Sequence, residues 1–400
     1  MKDILLRKQT LRNGLVMYED PIASQSITIL CVIHMGSAYE SISGISHFVE
    51  HMIFEGTKKR KTARDVAKEI DDIGGEFNAM TSRHSIIIYC KVPRQHTQKA
   101  ADVLVDCITN ATFLTVDKER NVIKNEIALL NDEPRQRQWE LFDKTLYPNH
   151  PVSRPIAGTI ASLDSISKKD LVNFYTENFV AKNMSLVVCG KLNNSQKENI
   201  KSLFSTIKSG KKSKNTIPKY NPPKSADTNY MKELSQAYIS IGWRIPDEPT
   251  KDTAVHDIIG AILTKGQSGI LFDELRNKHG LTYDVRSYTD TGPCGSCMAT
   301  TIICDPKKTD VVLKRTNEIF ETMNNVTEKT VTDAKTYLLG RYQLQLEDTV
   351  ERAQHIADNI IDNNFTPIAQ TKKVTAADIQ KTFKKIKSKT TTMLLREKRQ

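Results

Sequence analysis

Nowhere in its 400 residues does the chain carry an unbroken apolar run of about 18, the length that takes a helix across a bilayer, so no membrane span is expected. Residues 1–10 lack the apolar core of a secretory signal and lead straight into strand-like sequence at 10–17, so no leader is expected and the location read is cytoplasmic. A disulfide scaffold is equally unsupported. The seven cysteines are odd in number and scattered, which fits reduced thiols in a cytosol-like compartment. Cys294 and Cys297 invite a redox or metal reading, but strand-like sequence begins there, and residues three apart on a strand face opposite sides. Packing is the favoured account of both. The net charge of +11 gathers partly in lysine-rich stretches at 208–224 and 381–398. Neither carries a recognised nucleic-acid motif with interleaved aromatics, so a solvated surface is expected and a nucleic-acid partner is not.

What remains is ordinary globular composition, 38% apolar and 26% charged, long enough for two or three compact units. Histidine is scarce at nine residues, yet two lie four apart in Gly44-Ile45-Ser46-His47-Phe48-Val49-Glu50-His51-Met52. On a helix, His47 and His51 project from one face, and Glu50, three residues after His47, joins them. Two neutral imidazoles and one carboxylate are what a catalytic zinc site takes from its first helix: two nitrogen ligands and a base. The order His-x-x-Glu-His is the inverzincin arrangement. Two surface or capping histidines are the bland alternative, but Ile45, Phe48, Val49, Met52 and Ile53 bury this turn and favour metal.

The connection at 36–43 offers Ser41 or Ser43 as the cap of that helix. A strand is read at 27–35, a helix opened by Thr62 and stopped by Gly74-Gly75, a segment at 76–81, and a buried strand at 86–92. The helix at about 117–131 places Glu119 and Glu126 two turns apart beside a stripe of Val122, Ile123, Ile127 and Leu130. A carboxylate on an inward stripe wants a cation or a metal. Alone, salt bridges would be the favoured account; beside an incomplete two-histidine site, Glu126 becomes the natural third ligand.

Composition shifts to Gly, Lys, Asn and Pro at 209–224, which reads as a linker between a catalytic domain (1–208) and a second domain (225–400). The second domain repeats the first. Ile166-Ser-Lys-Lys-Asp-Leu171 matches Val374-Thr-Ala-Ala-Asp-Ile379 in type at an offset of 208 residues, the distance from Ile166 to Val374. At that offset His47 meets Val255 and His51 meets Ile259, so no second metal site is expected. Arg276 and Tyr283 flank Gly280, an expected left-handed helix stop. A guanidinium or phenol there could bond an oxyanion, although an ordinary salt bridge and a half-buried tyrosine would satisfy both.

With these residues in place, the sequence strongly resembles the pitrilysin family of zinc peptidases, which includes insulin-degrading enzyme, the mitochondrial processing peptidases and their half-length bacterial relatives. The resemblance runs along nearly the whole chain. Beyond the His47–His51 motif it rests on Asn13-Gly14-Leu15, on Gly74-Gly75-x-x-Asn78-Ala79-x-Thr81-Ser82 and on Glu119 to Glu126. It also rests on His150-Pro151-x-x-Arg154-Pro155-Ile156-x-Gly158-Thr159 and on Leu275-Arg276-x-x-x-Gly280-Leu281-x-Tyr283. It implies an α+β fold of two homologous domains, each a mostly antiparallel sheet flanked by helices, pairing into a clamshell dimer. It implies one Zn2+ per chain on His47, His51 and Glu126, with Glu50 as general base and Glu119 orienting the site. It further implies an edge strand at Asn78, Ala79 and Met80 that takes peptide as an added strand, and Arg276 and Tyr283 contributed by the second domain. The activity implied is a zinc metalloendopeptidase hydrolysing unfolded or leader peptides in an enclosed chamber. A subunit that binds peptide or zinc without hydrolysis, or one partner of a heterodimeric peptidase, is the alternative. Because the chain carries both the metal motif and the Arg/Tyr pair, a self-sufficient homodimer is favoured. The glycine-rich loop of the non-catalytic processing subunit is missing; that region reads Thr264-Lys-Gly-Gln-Ser-Gly269. Basic presequences would find no obvious attraction in a chain of +11 with Arg135 and Arg137 just past the zinc helix.

Overall fold

The computed structural model describes residues 3–217, 227–231, 233–245, 251–293, 295–386 and 389–396. The Ile/Val-rich stretch after Ser26 is buried on both faces and so forms a central strand. It belongs to a six-stranded sheet of β1 (Arg7–Thr10), β2 (Val16–Asp20), β3 (Ser26–Ile33), β4 (Glu76–Thr81), β5 (Ile86–Pro93) and β6 (Met184–Cys189). Their order is β1-β2-β6-β3-β5-β4. Only β2 and β6 pair in parallel. β4 alternates between exposed and half-buried residues, as an edge strand with one open side does.

One face of this sheet is covered by its own half of the chain: α1 (Ile45–Phe54), α2 (Ala63–Asp71), α3 (Thr97–Asn110), α4 (Val116–Asp132), α6 (Ile160–Ser165), α7 (Lys168–Asn178) and α8 (Asn194–Phe204). The intervening α5 (Pro134–Leu146) does not join them. It lies across a second, five-stranded sheet of β7 (Asp227–Met231), β8 (Ala237–Arg244), β9 (Thr282–Asp290), β10 (Cys297–Cys304) and β11 (Thr391–Arg396), ordered β7-β11-β8-β10-β9. There Leu141, Phe142 and Leu146 pack on Ala299, Met393 and Leu395, and Gln138 donates to the Ile239 carbonyl at 2.8 Å.

The opposite face of the second sheet carries α9 (Lys251–Thr264), α10 (Ile270–Phe272, running on helically to Lys278), α11 (Thr309–Thr322), α12 (Glu328–Gln345) and, further on, α15 (Ala376–Ile386) beyond α14 (Pro367–Lys373). The remaining helix, α13 (Thr349–Ile361), crosses back and sets Val350, Ala353, Ile356 and Ala357 against Leu30, Val32, Ile87, Tyr89 and Val187 of the first sheet. Each half therefore lends one helix to the other. The second face of a sheet must be buried somewhere, and here each sheet's outer face is closed by the opposite half.

The duplication is physical. Without its extra β1, the first sheet runs β2-β6-β3-β5-β4 and the second β7-β11-β8-β10-β9, each with a single parallel pair at the corresponding place. The matched hexapeptides start matched helices: Ser167 and Asp170 form the cap of α7, and Thr375 bonds Asp378 at the head of α15. α9 lies where α1 would fall, with Val255 and Ile259 fully enclosed. The first part of the expected linker is tied down rather than loose. Ser213 donates its N–H to Asn183 Oδ1 at 3.0 Å and Asn215 donates to the His34 carbonyl at 2.6 Å; residues 218–224 lie outside the described residues. So does Cys294, while Cys297 is buried in β10, and the six described cysteines are all unpaired. No helix among the described residues is long and apolar enough to cross a membrane.

Candidate metal centre

α1 begins in a way the serines at 41 and 43 do not account for. Its N-cap is Gly44, at φ +91°, and no side chain of the capping residue is used. Instead Glu40 folds back, accepting from the N–H groups of Gly44 at 2.6 Å and Ser46 at 3.0 Å. A carboxylate there satisfies two of the helix's free donors and the positive end of its dipole. Gly44 is obligatory for a second reason: a Cβ would meet the Ala157 carbonyl at 2.7 Å, and one on Gly158 would meet Ser43 O at 2.7 Å. Thus the stretch around Arg154–Gly158 docks the start of the helix, and Arg154 reaches the Glu40 carbonyl at 3.3 Å.

With Ile45, Phe48, Val49, Met52 and Ile53 in the core, His47, Glu50 and His51 face the other way. α4 brings Glu126 to them. His47 Nε2 lies 3.7 Å from one Glu126 oxygen and His51 Nε2 lies 3.4 Å from the other. One ligand atom from each residue falls within 4.8 Å of the others. Ligand atoms on a tetrahedral zinc at bonds of ~2.0–2.2 Å stand about 3.3–3.6 Å apart, so the three residues, gathered within 4.8 Å, would close on such an ion by shifts of about an ångström. Glu119, about two turns earlier on α4, is 7% exposed and sits 3.2 Å from His51 Nδ1, which leaves Nε2 free to face Glu126. Lys118 steadies the far oxygen of Glu119 at 3.3 Å. Nδ1 of His47 is buried with no hydrogen-bond partner among the described residues. Of the stripe expected on α4, Ile123 and Ile127 are buried, whereas Val122 is exposed, because Glu119 and Glu126 occupy the side toward α1.

The charges follow from burial and these contacts. Burial, then the neighbouring His51, hold the His47 imidazole down to about 4, against the pull of Glu126. Burial also lowers His51, but its bonds to Glu126 and Glu119 outweigh that and raise it overall. The bond to His51 holds Glu126 below the ordinary carboxylate range. Burial raises Glu50, opposed by a hydrogen bond from Thr81. A neutral His47, an ionised Glu126 and a carboxylate moved toward neutral pH form a donor set suited to a divalent cation with a base beside it.

Thr81 closes β4, so the base on α1 and the edge strand are linked directly. On that strand the Ala79 N–H points away from the ladder and donates to the side chain of Asn78 at 2.8 Å. Met80 is 40% exposed at the same open edge. Arg276 and Tyr283 stand apart from the metal group. Arg276 lies within the helical run 273–278 and donates to the Tyr283 carbonyl at 2.9 Å, Gly280 adopts φ +56°, and the Tyr283 side chain is 74% exposed rather than half-buried. Both line a cleft whose walls come only from the second half. Glu40 and Thr81 were not read as site residues from the sequence; a carboxylate four positions before a helix-opening glycine was the available signal for the first.

Residues 15–160 match the family described as Insulinase (Peptidase family M16), and residues 165–338 match the Peptidase M16 inactive domain. An uncharacterized zinc protease of Rickettsia felis is 31% identical over 358 residues, covering 87% of this chain and 86% of that protein. The chain belongs to peptidase family M16. Within the family, an uncharacterized zinc protease of Bacillus subtilis is 29% identical over 364 residues, covering 86% of this chain and 85% of its own. The fold is that of a protease from Helicobacter pylori, at a TM-score of 0.90 and 21% identity over 98% of this chain and 100% of that one. The M16 inactive domain agrees with the second half's own residues, Val255, Ile259 and Ala334, buried at the positions of His47, His51 and Glu126.

Proposed function

We propose that this M16 chain is a zinc metalloendopeptidase that hydrolyses unfolded or leader peptides, one Zn2+ per chain, within a chamber closed by a homodimer. The observation that carries this is the convergence of His47 Nε2, His51 Nε2 and the Glu126 carboxylate at the spacing of zinc ligands, with Glu50 on the same face. A zinc ion held there supplies Lewis-acid polarisation of a carbonyl and an acidified water. Glu50 takes up a proton at its carboxylate and returns it to the departing amine, a task for which its raised pKa suits it. Glu119 keeps the His51 ring oriented through Nδ1. β4 receives the peptide backbone as an added strand, so that recognition depends little on side chains. Arg276 and Tyr283, exposed on the second half, would reach the substrate from the second copy, Tyr283 donating to the carbonyl oxygen.

The test is zinc quantitation coupled to cleavage of a quenched peptide pool, with size-exclusion chromatography to fix the oligomer. Glu50→Gln should keep stoichiometric zinc and lose about 10²- to 10⁴-fold in turnover. Full activity in that variant removes Glu50 from its role. The match of the second half to an inactive domain favours one rival, a subunit that holds zinc or peptide without hydrolysis. Stoichiometric zinc in the unaltered chain with no cleavage of the pool would establish it.

A further inference from the structure

The second half encloses a cleft that the metal centre does not explain. Antiparallel pairing brings the starts of β8 and β9 and the ends of β10 and β11 to one end of the second sheet. Between them lies a cavity of about 780 Å³. Four cations line it: Arg276, Lys307, Lys308 and Arg396. Among the described residues none of the four has a carboxylate within ion-pair distance. Arg276 is bonded to the Tyr283 carbonyl, and Lys308 reaches only the Gly280 carbonyl, at 3.4 Å. Nε of Arg396 is buried beside the cavity with no partner among the described residues.

Asp305 also lines the cavity and keeps its charge, so four cations face one acid there, while Asp284 and Glu274 are held in ion pairs. Asp305 accepts the Lys307 N–H at 2.8 Å, Asp284 pairs with Arg135 at 2.5 Å and Arg286 at 3.0 Å, and Glu274 with Arg315 at 3.1 Å. α11 starts directly after Lys308 with no side chain capping its first turn, so the positive end of its dipole adds to the field. Like charges gathered in a partly closed space raise the local potential and favour an anion. Arginine forks match a carboxylate in particular.

We infer that this cleft binds a carboxylate of the peptide substrate, either an acidic side chain or the C-terminus, and biases the chain toward acidic peptides. The inference rests on the peptidase reading above, in which Arg276 and Tyr283 face the substrate. It makes strongly basic leader sequences poor substrates.

Four fluorogenic peptides share one scissile core. Three are C-terminally amidated and carry flanking Glu, Gln or Lys; the fourth carries Gln and a free carboxylate. The unaltered protein should favour the Glu or the free-acid peptide over amidated Gln by roughly tenfold in kcat/KM, with Lys below both. Whichever of the two is favoured identifies the source of the carboxylate. In Lys307→Gln/Lys308→Gln that ratio should fall toward one, and about 0.5 M NaCl, roughly ten times the ionic strength of a dilute buffer, should narrow it in the unaltered protein. Both lysines are exposed, and thermal unfolding checks that the variant keeps its fold. Equal rates for all four peptides, or a ratio that the double variant leaves intact, overturn the inference. If no peptide is cut, the peptidase reading fails by itself. Fluorescence anisotropy of the labelled Glu and Gln peptides then still decides the cleft: tighter binding of Glu that the double variant abolishes supports it, and equal binding overturns it.

Discussion

The hydroxyl of Thr81, the last residue of β4, donates to Oε2 of Glu50 on α1. The edge strand and the carboxylate beside the metal ligands are therefore not independent. Thr81 favours the ionised form of Glu50, while burial favours the neutral one. Thr81→Val removes the donor and should raise the Glu50 pKa further. The acid limb of the kcat/KM profile should move to higher pH, with zinc content unchanged. An unmoved limb would mean that Glu50 is not the group the profile reports.

Ala79 offers its N–H to the open side of β4, where only the Asn78 side chain takes it. Proline is tolerated at such an outward position of an edge strand and removes that donor. Ala79→Pro should raise KM for peptides roughly three- to tenfold, the worth of one backbone hydrogen bond, and leave zinc stoichiometry intact. Unchanged KM would show that peptide does not add along this edge.

Glu40 caps α1, and burial pushes its carboxyl up to about 7 from an ordinary 4.5, against the two N–H bonds it accepts. An acid raised on folding stabilises the native state fully below its unfolded pKa and loses that contribution as pH rises through the folded one. Between about pH 4.5 and 7 the protein should therefore lose stability relative to Glu40→Gln. Thermal unfolding of both across that window measures it, and parallel curves would contradict it.

Arg352, at the start of α13, forms an ion pair with Asp20 of β2, a carboxylate only 6% exposed. Together with Lys91 to Asp348 at 2.7 Å and Thr28 to Thr349 at 2.9 Å, it holds the borrowed helix on the first sheet. Arg352→Ala leaves Asp20 buried and unpaired, a cost of about 3 kcal/mol, read by denaturant unfolding. Replacing both partners, as in Asp20→Asn/Arg352→Met, should recover much of that loss.

What could be read from the sequence alone was whatever is local or repeated. A helical period puts His47, Glu50 and His51 on one side whatever the surroundings, and a cap at Ser167 or Thr375 starts its helix without help from afar. The linear chain also located α4 and the repeat offset, because stripes and matched motifs leave marks within a few residues, whereas the edge strand at 78–80 was implied only by the family resemblance. It left α5 and α13 unread, and those are the two helices that cross between halves. An apolar stripe announces that a face will be buried but not which sheet will bury it. Only the tertiary structure decided that Glu126 meets two imidazoles on another helix, that Glu40 rather than a serine caps α1, and that four cations gather at one sheet end. Each depends on contacts between segments far apart in sequence, whose distances no local periodicity specifies.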